Sequence, residues 1–327
     1  MKHISVLVPR GAAVLACIQG PRVLFSLANE LLAQRGLPPG FQMHLVGLDR
    51  TPQVYDTLFT VAPDRAITED FRTDLIVIPA VNGDMRAVIE ANRDFLPWIA
   101  ERYKGGAEVA SLCAGAFLLA ATGLVKGRKC ATHWLYQNEF RALFPEVDLR
   151  CDTVVTDEHG IYSSAGALSF WNLLLHLLEK YTDRDMAVYA SKFYEIEIDR
   201  HNQASFTMFR GRRDHQDEAV KKVQAFVEGN THRKITVDNL SGMFALGRRS
   251  LERRFKKATG ITVSEYIQNV KMEAAKKRFE TSRKNISEVM YEVGYSDTKA
   301  FRTIFKGITG MTPIDYRNKY NKEPVPA

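Results

Sequence analysis

Residues Ile235–Gly260 read ITVDNLSGMFALGRRSLERRFKKATG, and from Asn285 the chain returns to the same plan with NISEVMYEVGYSDTKAFRTIFKGITG. In the first stretch Val237, Leu240, Phe244, Leu251 and Phe255 recur at helical spacing on one face; in the second Ile286, Val289, Met290, Val293, Phe301, Ile304 and Phe305 do. Each copy predicts a short helix, a turn and a second helix, with the turns at Ala245–Gly247 and Gly294–Asp297, where small or capping residues sit. Two helix-turn-helix units side by side are the build of a DNA reader.

Charge points the same way independently of pattern. From His215 onward the chain holds 22 Lys and Arg against 13 Asp and Glu, a net of +9; Met1–Asp214 holds 23 against 25, a net of −2. A basic module beside a near-neutral one is expected when only one part meets phosphates. Arg248, Arg249, Arg253, Arg254, Lys256 and Lys257 crowd the second helix of copy one. Because Leu251 and Phe255 point inward, Arg249, Glu252 and Arg253 project from the opposite side. The arginines can fork onto guanine and Glu252 can accept from cytosine.

The region Gln216–Tyr320, with its closing Gly310, Thr312, Pro313, Tyr316 and Arg317, resembles the DNA-binding domain of AraC/XylS-type regulators. The resemblance implies that each second helix enters the major groove and that a long helix near Val263–Phe279 spaces the two along one face of the duplex. It also places Arg249, Glu252 and Arg253, and in copy two Thr298, Lys299, Arg302 and Thr303, at base-contacting positions. Arg248 belongs to the same DNA-facing helix, while Lys256, Lys257 and Lys306 are expected on backbone phosphates. For any single Arg or Lys, base and phosphate contact both stand at this stage. Ser296 or Asp297 is expected to cap the second helix of copy two.

At 327 residues and 45% hydrophobic content the chain has room for two or three domains with full cores. No apolar run approaches a membrane span. Val14-Leu15-Ala16-Cys17 superficially resembles a lipoprotein cleavage site, but Pro9, Arg10 and Gly11 break the preceding apolar stretch. Four cysteines without a C-x-x-C pair fit a reducing cytoplasm, where the protein is expected. From Met1 to about Tyr194, short Val/Ile/Leu-rich runs alternate with amphipathic stretches. Strands are predicted at Ile4–Val8, Gln42–Gly47, Leu75–Pro79 and Val109–Leu112, and helices at Pro21–Gln34, Met85–Tyr103, Gly115–Thr122 and Ala165–Tyr181. The expected architecture is an α/β doubly wound parallel sheet of flavodoxin-like, amidotransferase-like type, residues 1–198, followed by a linker, 199–215, and an all-α domain with two helix-turn-helix motifs, 216–322.

Ligands in such sheets collect at the carboxyl ends of the strands. One such end reads Ala110-Ser111-Leu112-Cys113-Ala114-Gly115-Ala116, a cysteine on a sharp strand-to-helix elbow where nearby helix N–H groups can lower a thiol pKa or bind an anion. With Ala131-Thr132-His133-Trp134 and Ser163-Ser164-Ala165-Gly166, it resembles the PfpI-like branch of the class I glutamine amidotransferase superfamily over the first two hundred residues. In enzymes of that group the elbow cysteine is the nucleophile, with a histidine and usually an acid from the first strand-to-helix crossing. The matching positions are Cys113, His133 and Cys17, so the acid is missing, and Ala114 stands where hydrolytic relatives carry a histidine. The resemblance therefore implies a site retired from catalysis and kept for sensing; a thiol-dependent enzyme fused to a DNA anchor is the alternative. Cys113 as a buried small residue and His133 as a packed structural histidine also stand.

Regulators joining these two parts form a bacterial group whose effectors include amino acids and quaternary amines such as carnitine and glycine betaine. The expected ligand-facing residues are Cys17, Asn82, Gly83, Cys113, Ala114, His133 and Trp134, with Trp134 and Tyr162 as candidate walls of an aromatic cage and the core as their other reading. If Cys17 and Cys113 both line the pocket, both are expected to respond to oxidation. No cofactor or metal is called for. The expected partners are double-stranded promoter DNA, a small-molecule effector, a second copy of the chain, and RNA polymerase if the output is activation; no membrane is expected. The stretch Asp199–Asp214, DRHNQASFTMFRGRRD, is polar and aperiodic, so it reads as a linker, either a free tether or one docked through Phe206, Met208 and Phe209.

Overall fold

Leu75, Ile76, Val77 and Ile78 are all fully buried, which only a strand covered on both faces allows. The computed structural model describes residues 1–198 and 202–321, which fall into two units, Met1–Gln203 and Ala204–Ala327. In the first, a seven-stranded sheet is ordered β10-β11-β7-β6-β1-β2-β5. Its members are β1 (Lys2–Leu7), β2 (Phe41–Gly47), β5 (Arg65–Ala66), β6 (Leu75–Ile78), β7 (Glu108–Ser111), β10 (Val155–Glu158) and β11 (Ile161–Ser164). All pair in parallel except β10, which runs antiparallel on β11 at the edge. Two small ribbons lie outside it, β3 (Gln53–Tyr55) with β4 (Phe59–Val61) and β8 (Lys129–Cys130) with β9 (Asp148–Leu149). The helices are α1 (Leu15–Gln34), α2 (Met85–Ala91), α3 (Phe95–Lys104), α4 (Ala116–Ala121), α5 (Gln137–Leu143), α6 (Phe170–Tyr181) and α7 (Arg184–Phe193).

Three helix expectations need correction. Pro21 was expected to open its helix, yet α1 begins at Leu15 and carries Pro21 inside. An interior proline costs about 3 kcal/mol, but the extra turn buries Cys17 and Ile18 in the main core, and tertiary packing overrides propensity. The stretch Met85–Tyr103 is two helices. Asn92, buried between them, spends its side chain on Arg10, accepting from its N–H at 2.8 Å and donating to its carbonyl at 3.0 Å. Restarting at Phe95 leaves Pro97 in a first turn, where a missing N–H is harmless. Finally, Ala165–Gly166 remain extended, and Ala167–Ser169 form a single tight 3-10 turn before α6.

The second unit is all helix: α8 (Glu218–Gly229), α9 (Val237–Met243), α10 (Arg248–Thr259), α11 (Val263–Thr281), α12 (Ile286–Glu292), α13 (Thr298–Thr309) and α14 (Pro313–Tyr320). It has two cores. Val220, Val223, Val227, Leu240, Leu251 and Phe255 close around the first half of α11 through Tyr266 and Ile267. Val289, Met290, Phe301, Phe305 and Tyr316 close around the second half through Met272, Ala275 and Phe279. One helix therefore belongs to both lobes, and its entry is fixed by a capping box between Thr262 and Glu265. The lobes end alike: α10 stops at Gly260 (φ 83°) and α13 at Gly310 (φ 72°), each in the left-handed region that favours glycine.

Candidate functional site

In the second unit the burial pattern of α10 and α13 leaves one face of each free. Arg248, Arg249, Glu252, Arg253, Lys256 and Lys257 are exposed on α10, and Thr298, Lys299, Arg302, Thr303 and Lys306 on α13, while Leu251, Phe255, Phe301 and Phe305 are buried behind them. Among the described residues Arg249, Arg253, Lys299, Arg302 and Lys306 have no ion-pair partner. Arg248 differs, since it donates to both oxygens of Asp238 at 3.0 and 3.1 Å and to Glu252 at 3.3 Å. Arg254, counted above in the basic crowd, turns inward and grips Asp217 with two bonds of 2.7 and 2.8 Å. Asp217 is also the cap of α8, so this arginine secures the first lobe rather than extending the exposed face. Of the two candidates for capping α13, Asp297 performs it, accepting from Lys299 and Ala300.

In the first unit the elbow sits where β7 meets α4. Cys113 has φ 52°, a left-handed conformation that a non-glycine residue adopts only under local constraint. The constraint is visible around it. Leu112 N–H bonds the Ile78 carbonyl at the end of β6, and a Cβ on Gly115 would stand 2.5 Å from that same oxygen. Cys113 N–H donates to Ser164 Oγ at 3.2 Å, and its carbonyl accepts from Thr132 Oγ1 at 3.1 Å. Ser163 Oγ accepts from Ala131 N–H at 2.6 Å and is hydrogen-bonded to Thr156 Oγ1 at 2.5 Å. Buried hydroxyls from β10, β11 and the 130–132 loop thus hold the elbow from behind.

The thiol does not behave as the elbow pattern predicts. Burial raises the Cys113 pKa above the ordinary range, outweighing the nearby Ala167 and Ala114 N–H groups that pull it down. Cys17, buried in the first turn of α1, is pushed up to about 12 by burial, against the pull of an Ala80 backbone hydrogen bond, and Cys113 nearby adds to the rise. His133 is held neutral, its pKa lowered by burial. Its Nδ1 accepts from Leu135 N–H at 3.0 Å, which leaves Nε2 as the protonated nitrogen of the neutral ring. Gly166 lies directly against that edge of the ring, where a Cβ would be 2.3 Å from Cδ2.

Ala114 is buried in the turn itself. Trp134 tilts against His133 with ring centroids 5.3 Å apart. Asn82 and Gly83 are exposed on the loop after β6, which is tied to the 12–14 loop by Asn82 N–H on Ala12 and by Val14 N–H on Ala80. Tyr162 is not a cage wall. It is 0% exposed, with its hydroxyl donating to Glu108 at 2.6 Å and bonded by Lys180, and burial pushes it up to about 12. Among the described residues no group of three or more His, Cys, Asp or Glu gathers to hold a metal ion, and no helix is long and apolar enough to cross a membrane.

Two residues escaped the sequence reading. Lys271 on α11, only 3% exposed, donates to the carbonyls of Thr231 at 3.0 Å, Arg233 at 2.7 Å and Val293 at 2.7 Å, thereby tying the approach to α9 to the end of α12. Gln203, 2% exposed, donates to the Thr132 carbonyl at 3.2 Å and the Thr153 carbonyl at 3.4 Å. A lysine in a basic domain and a glutamine in a polar linker carry no periodic signal. Within the connecting segment, residues 203–209 are docked rather than a free tether. Positions 199–201 lie outside the described residues, but Gln203 N–H bonds the Asp152 carbonyl, Phe209 N–H bonds Glu273, and Phe209 packs on the first core of the second unit while Phe206 and Met208 stay exposed.

Comparison with known proteins accounts for both units. The DJ-1/PfpI family profile matches residues 24–180, and a helix-turn-helix domain profile matches 240–319. The chain thus carries a region similar to the DJ-1/PfpI family followed by a region similar to helix-turn-helix domains. It is 23% identical over 288 residues to the HTH-type transcriptional regulator GbdR of Pseudomonas aeruginosa, covering 85% of this chain and 75% of that protein. It is 24% identical over 217 residues to the regulator ArgR of the same organism, covering 66% of each. Among solved structures, a putative transcriptional regulator protein from Vibrio parahaemolyticus aligns with a TM-score of 0.53 at 21% identity, over 59% of this chain and 98% of that one. A ThiJ/PfpI family protein from Pseudomonas syringae aligns at 0.50 and 21%, over 61% and 76%. Both share the fold of the DJ-1/PfpI part.

Proposed function

We propose that this chain is a transcriptional regulator that reads promoter DNA through α10 and α13 and adjusts that reading to a small metabolite held at the Cys113 elbow. The observation that carries the first half is the pair of second helices built on one shared α11, each with an exposed basic face over a buried apolar one. Arg249, Glu252, Arg253, Thr298, Lys299, Arg302 and Thr303 are the base-facing set; Arg248, Lys256, Lys257 and Lys306 face phosphates. The HTH-type regulators among its relatives support the same reading. Selection from a random duplex library tests it: the full chain should enrich a long asymmetric motif, and enrichment of nothing over scrambled competitor refutes the proposal.

The elbow is a binding site in this reading and not a nucleophile. A thiol raised by burial holds little thiolate at neutral pH, and the neutral His133 ring whose Nδ1 is already occupied offers a donor rather than a base. A fixed donor beside the backbone N–H groups of Ala114 and Ala167 suits the carboxylate of an amino acid or a betaine, with Cys17, Asn82, Gly83 and Trp134 around it. Two copies on tandem half-sites would gain affinity through effective concentration, so the working form is a dimer. Replacing Cys113 with Ser separates this from a thiol-dependent enzyme. The C113S chain should keep DNA selection and show a thermal shift with an amino acid, betaine or carnitine panel. A hydrolytic activity of the wild type that vanishes in C113S would establish the enzyme instead.

A further inference from the structure

Gln203 stands at the seam between the candidate sensor site and the segment that leads into the helical unit. Its N–H bonds the Asp152 carbonyl at 2.8 Å, its Nε2 bonds the Thr132 carbonyl, and its Oε1 accepts from Gly166 N–H at 3.5 Å. Two of these partners, Thr132 and Gly166, adjoin the elbow. Thr132 donates to the Cys113 carbonyl and precedes His133; Gly166 packs on the His133 ring and precedes Ala167, whose N–H faces the Cys113 sulfur. A ligand that moves His133 or the 165–167 loop therefore alters what Gln203 can bond.

The next residues run across the whole helical unit. Ala204–Phe206 form one 3-10 turn packed against α13, and the Ser205 carbonyl accepts from Tyr320 at 3.3 Å. Crossing α11, Thr207 accepts from Lys276 at 2.5 Å, and Phe209 N–H donates to Glu273 at 3.0 Å. On the first lobe, Phe209 stacks edge-on to Tyr266 with centroids 5.3 Å apart, the Arg212 carbonyl accepts from Gln224 Nε2 at 2.9 Å, and His215 bonds the same glutamine at 2.9 Å. Lys276 is 3% exposed, so the crossing is pinned by a buried charge paired to Glu273 at 2.9 Å. The chain leaving the sensor thus touches the second lobe first, then the shared helix, then the first lobe.

We propose that Gln203 and the strap Ala204–Gln216 are the transmission element of this protein, with Gln203 as the positioning residue that converts occupancy of the elbow into a changed relation between α10 and α13. This rests on the regulator reading above. Binding couplings are reciprocal, so DNA must in turn alter the elbow, and no effector is needed to test it.

The experiment is hydrogen–deuterium exchange on the full-length chain, with and without the duplex enriched by library selection, followed in peptides covering 131–136 and 165–169. In the wild type, exchange there should change by about fivefold or more on DNA binding, the scale of an ordinary allosteric coupling. In Gln203→Ala, and in a chain carrying a short Gly-Ser insertion between Gln203 and Ala204, the duplex should still bind while these peptides stay unchanged. The insertion removes no side chain, so it remains informative if Gln203→Ala folds poorly. Bound wild type with no change at the elbow overturns the proposal, and so does an insertion variant that changes as much as wild type. A chain that selects no duplex overturns the regulator reading and the transmission element with it, which distinguishes the two failures.

Discussion

The two helix-turn-helix lobes have one plan and two different turns. Between α9 and α10 lie four residues, 244–247; between α12 and α13 lie five, 293–297. The additional residue gives Asp297 a place from which to cap α13, whereas α10 starts at Gly247 with no side-chain cap and its first residue, Arg248, held by Asp238. Charge follows the same split. Of the six Lys and Arg on α10, Arg254 grips Asp217 and Arg248 is held by Asp238 and Glu252, which leaves Arg249, Arg253, Lys256 and Lys257 against Lys299, Arg302 and Lys306 on α13. On the proposed reading the difference amounts to a division of labour: the first lobe grips the duplex with more charge, and the second, capped by Asp297, holds a rigid shape beside it with less.

Breaking that division is the largest effect expected. Arg249→Ala with Arg253→Ala should weaken binding to the selected duplex by about 2–6 kcal/mol, taking two guanidinium forks at about 1–3 kcal/mol each. Arg302→Ala should cost about 1–3 kcal/mol on the same scale, and fluorescence anisotropy at fixed salt reads both. Lys256→Ala should chiefly flatten the salt dependence, by about 0.9 in the slope of log affinity against log salt. If Arg302→Ala costs as much as the α10 pair, the lobes share the load and the division is wrong.

The turns sharpen the comparison next. Ala245 and Gly294 hold the same place after their first helices, with φ 50° and 69°. Ala245 therefore already tolerates a Cβ in the left-handed region. Gly294 cannot, because its Cβ would stand 2.6 Å from Lys271 Nζ and 2.8 Å from the carbonyls of His232 and Arg233. Gly294→Ala should destabilise the chain by about 1–3 kcal/mol, while Ala245→Gly should change it by about 1 kcal/mol at most. Chemical denaturation measures both; equal effects would mean the Lys271 junction yields without cost.

How much of this was legible beforehand follows from what carries a period. The repeated helical stripe and the capping residue before α13 are local rules written into consecutive residues, and α9, α10, α12 and α13 could be read from them; α11 came only from the family resemblance, and α8 and α14 carried no expectation. The elbow was legible too, since Cys113 between a buried strand and small residues has few other reasons to exist. Its thiol chemistry was not, because burial and the N–H groups of Ala114 and Ala167 compete and only the packed structure shows burial winning. Nor was the break at Asn92, which depends on Arg10 far away in sequence. Gln203, Lys271 and Lys276 act through carbonyls of distant segments, and a sequence records a side chain's acceptors only when they are its neighbours.

Lys271 provides the smallest effect and the finest test of the junction between the lobes. Burial pulls its ammonium from the ordinary lysine range down to about 8, whereas in an unfolded chain lysine titrates near about 10.4. Between those values the unfolded chain still holds the proton while the folded chain has shed it, so the unfolded state binds more protons and stability rises with pH. Tyr295 beneath the ammonium, its ring centroid 5.4 Å away, works in the opposite sense, because burial raises its pKa and the folded chain keeps a proton that the unfolded one loses. The comparison must therefore be between chains and not along one curve. The unfolding free energy of wild type minus that of Lys271→Met should climb from about pH 8 to about pH 10.5 and stay level below that window. A difference that is flat throughout would mean the Thr231, Arg233 and Val293 carbonyls keep the amine charged to the end, making the junction a permanent ionic clasp absent from the plan the two lobes otherwise share.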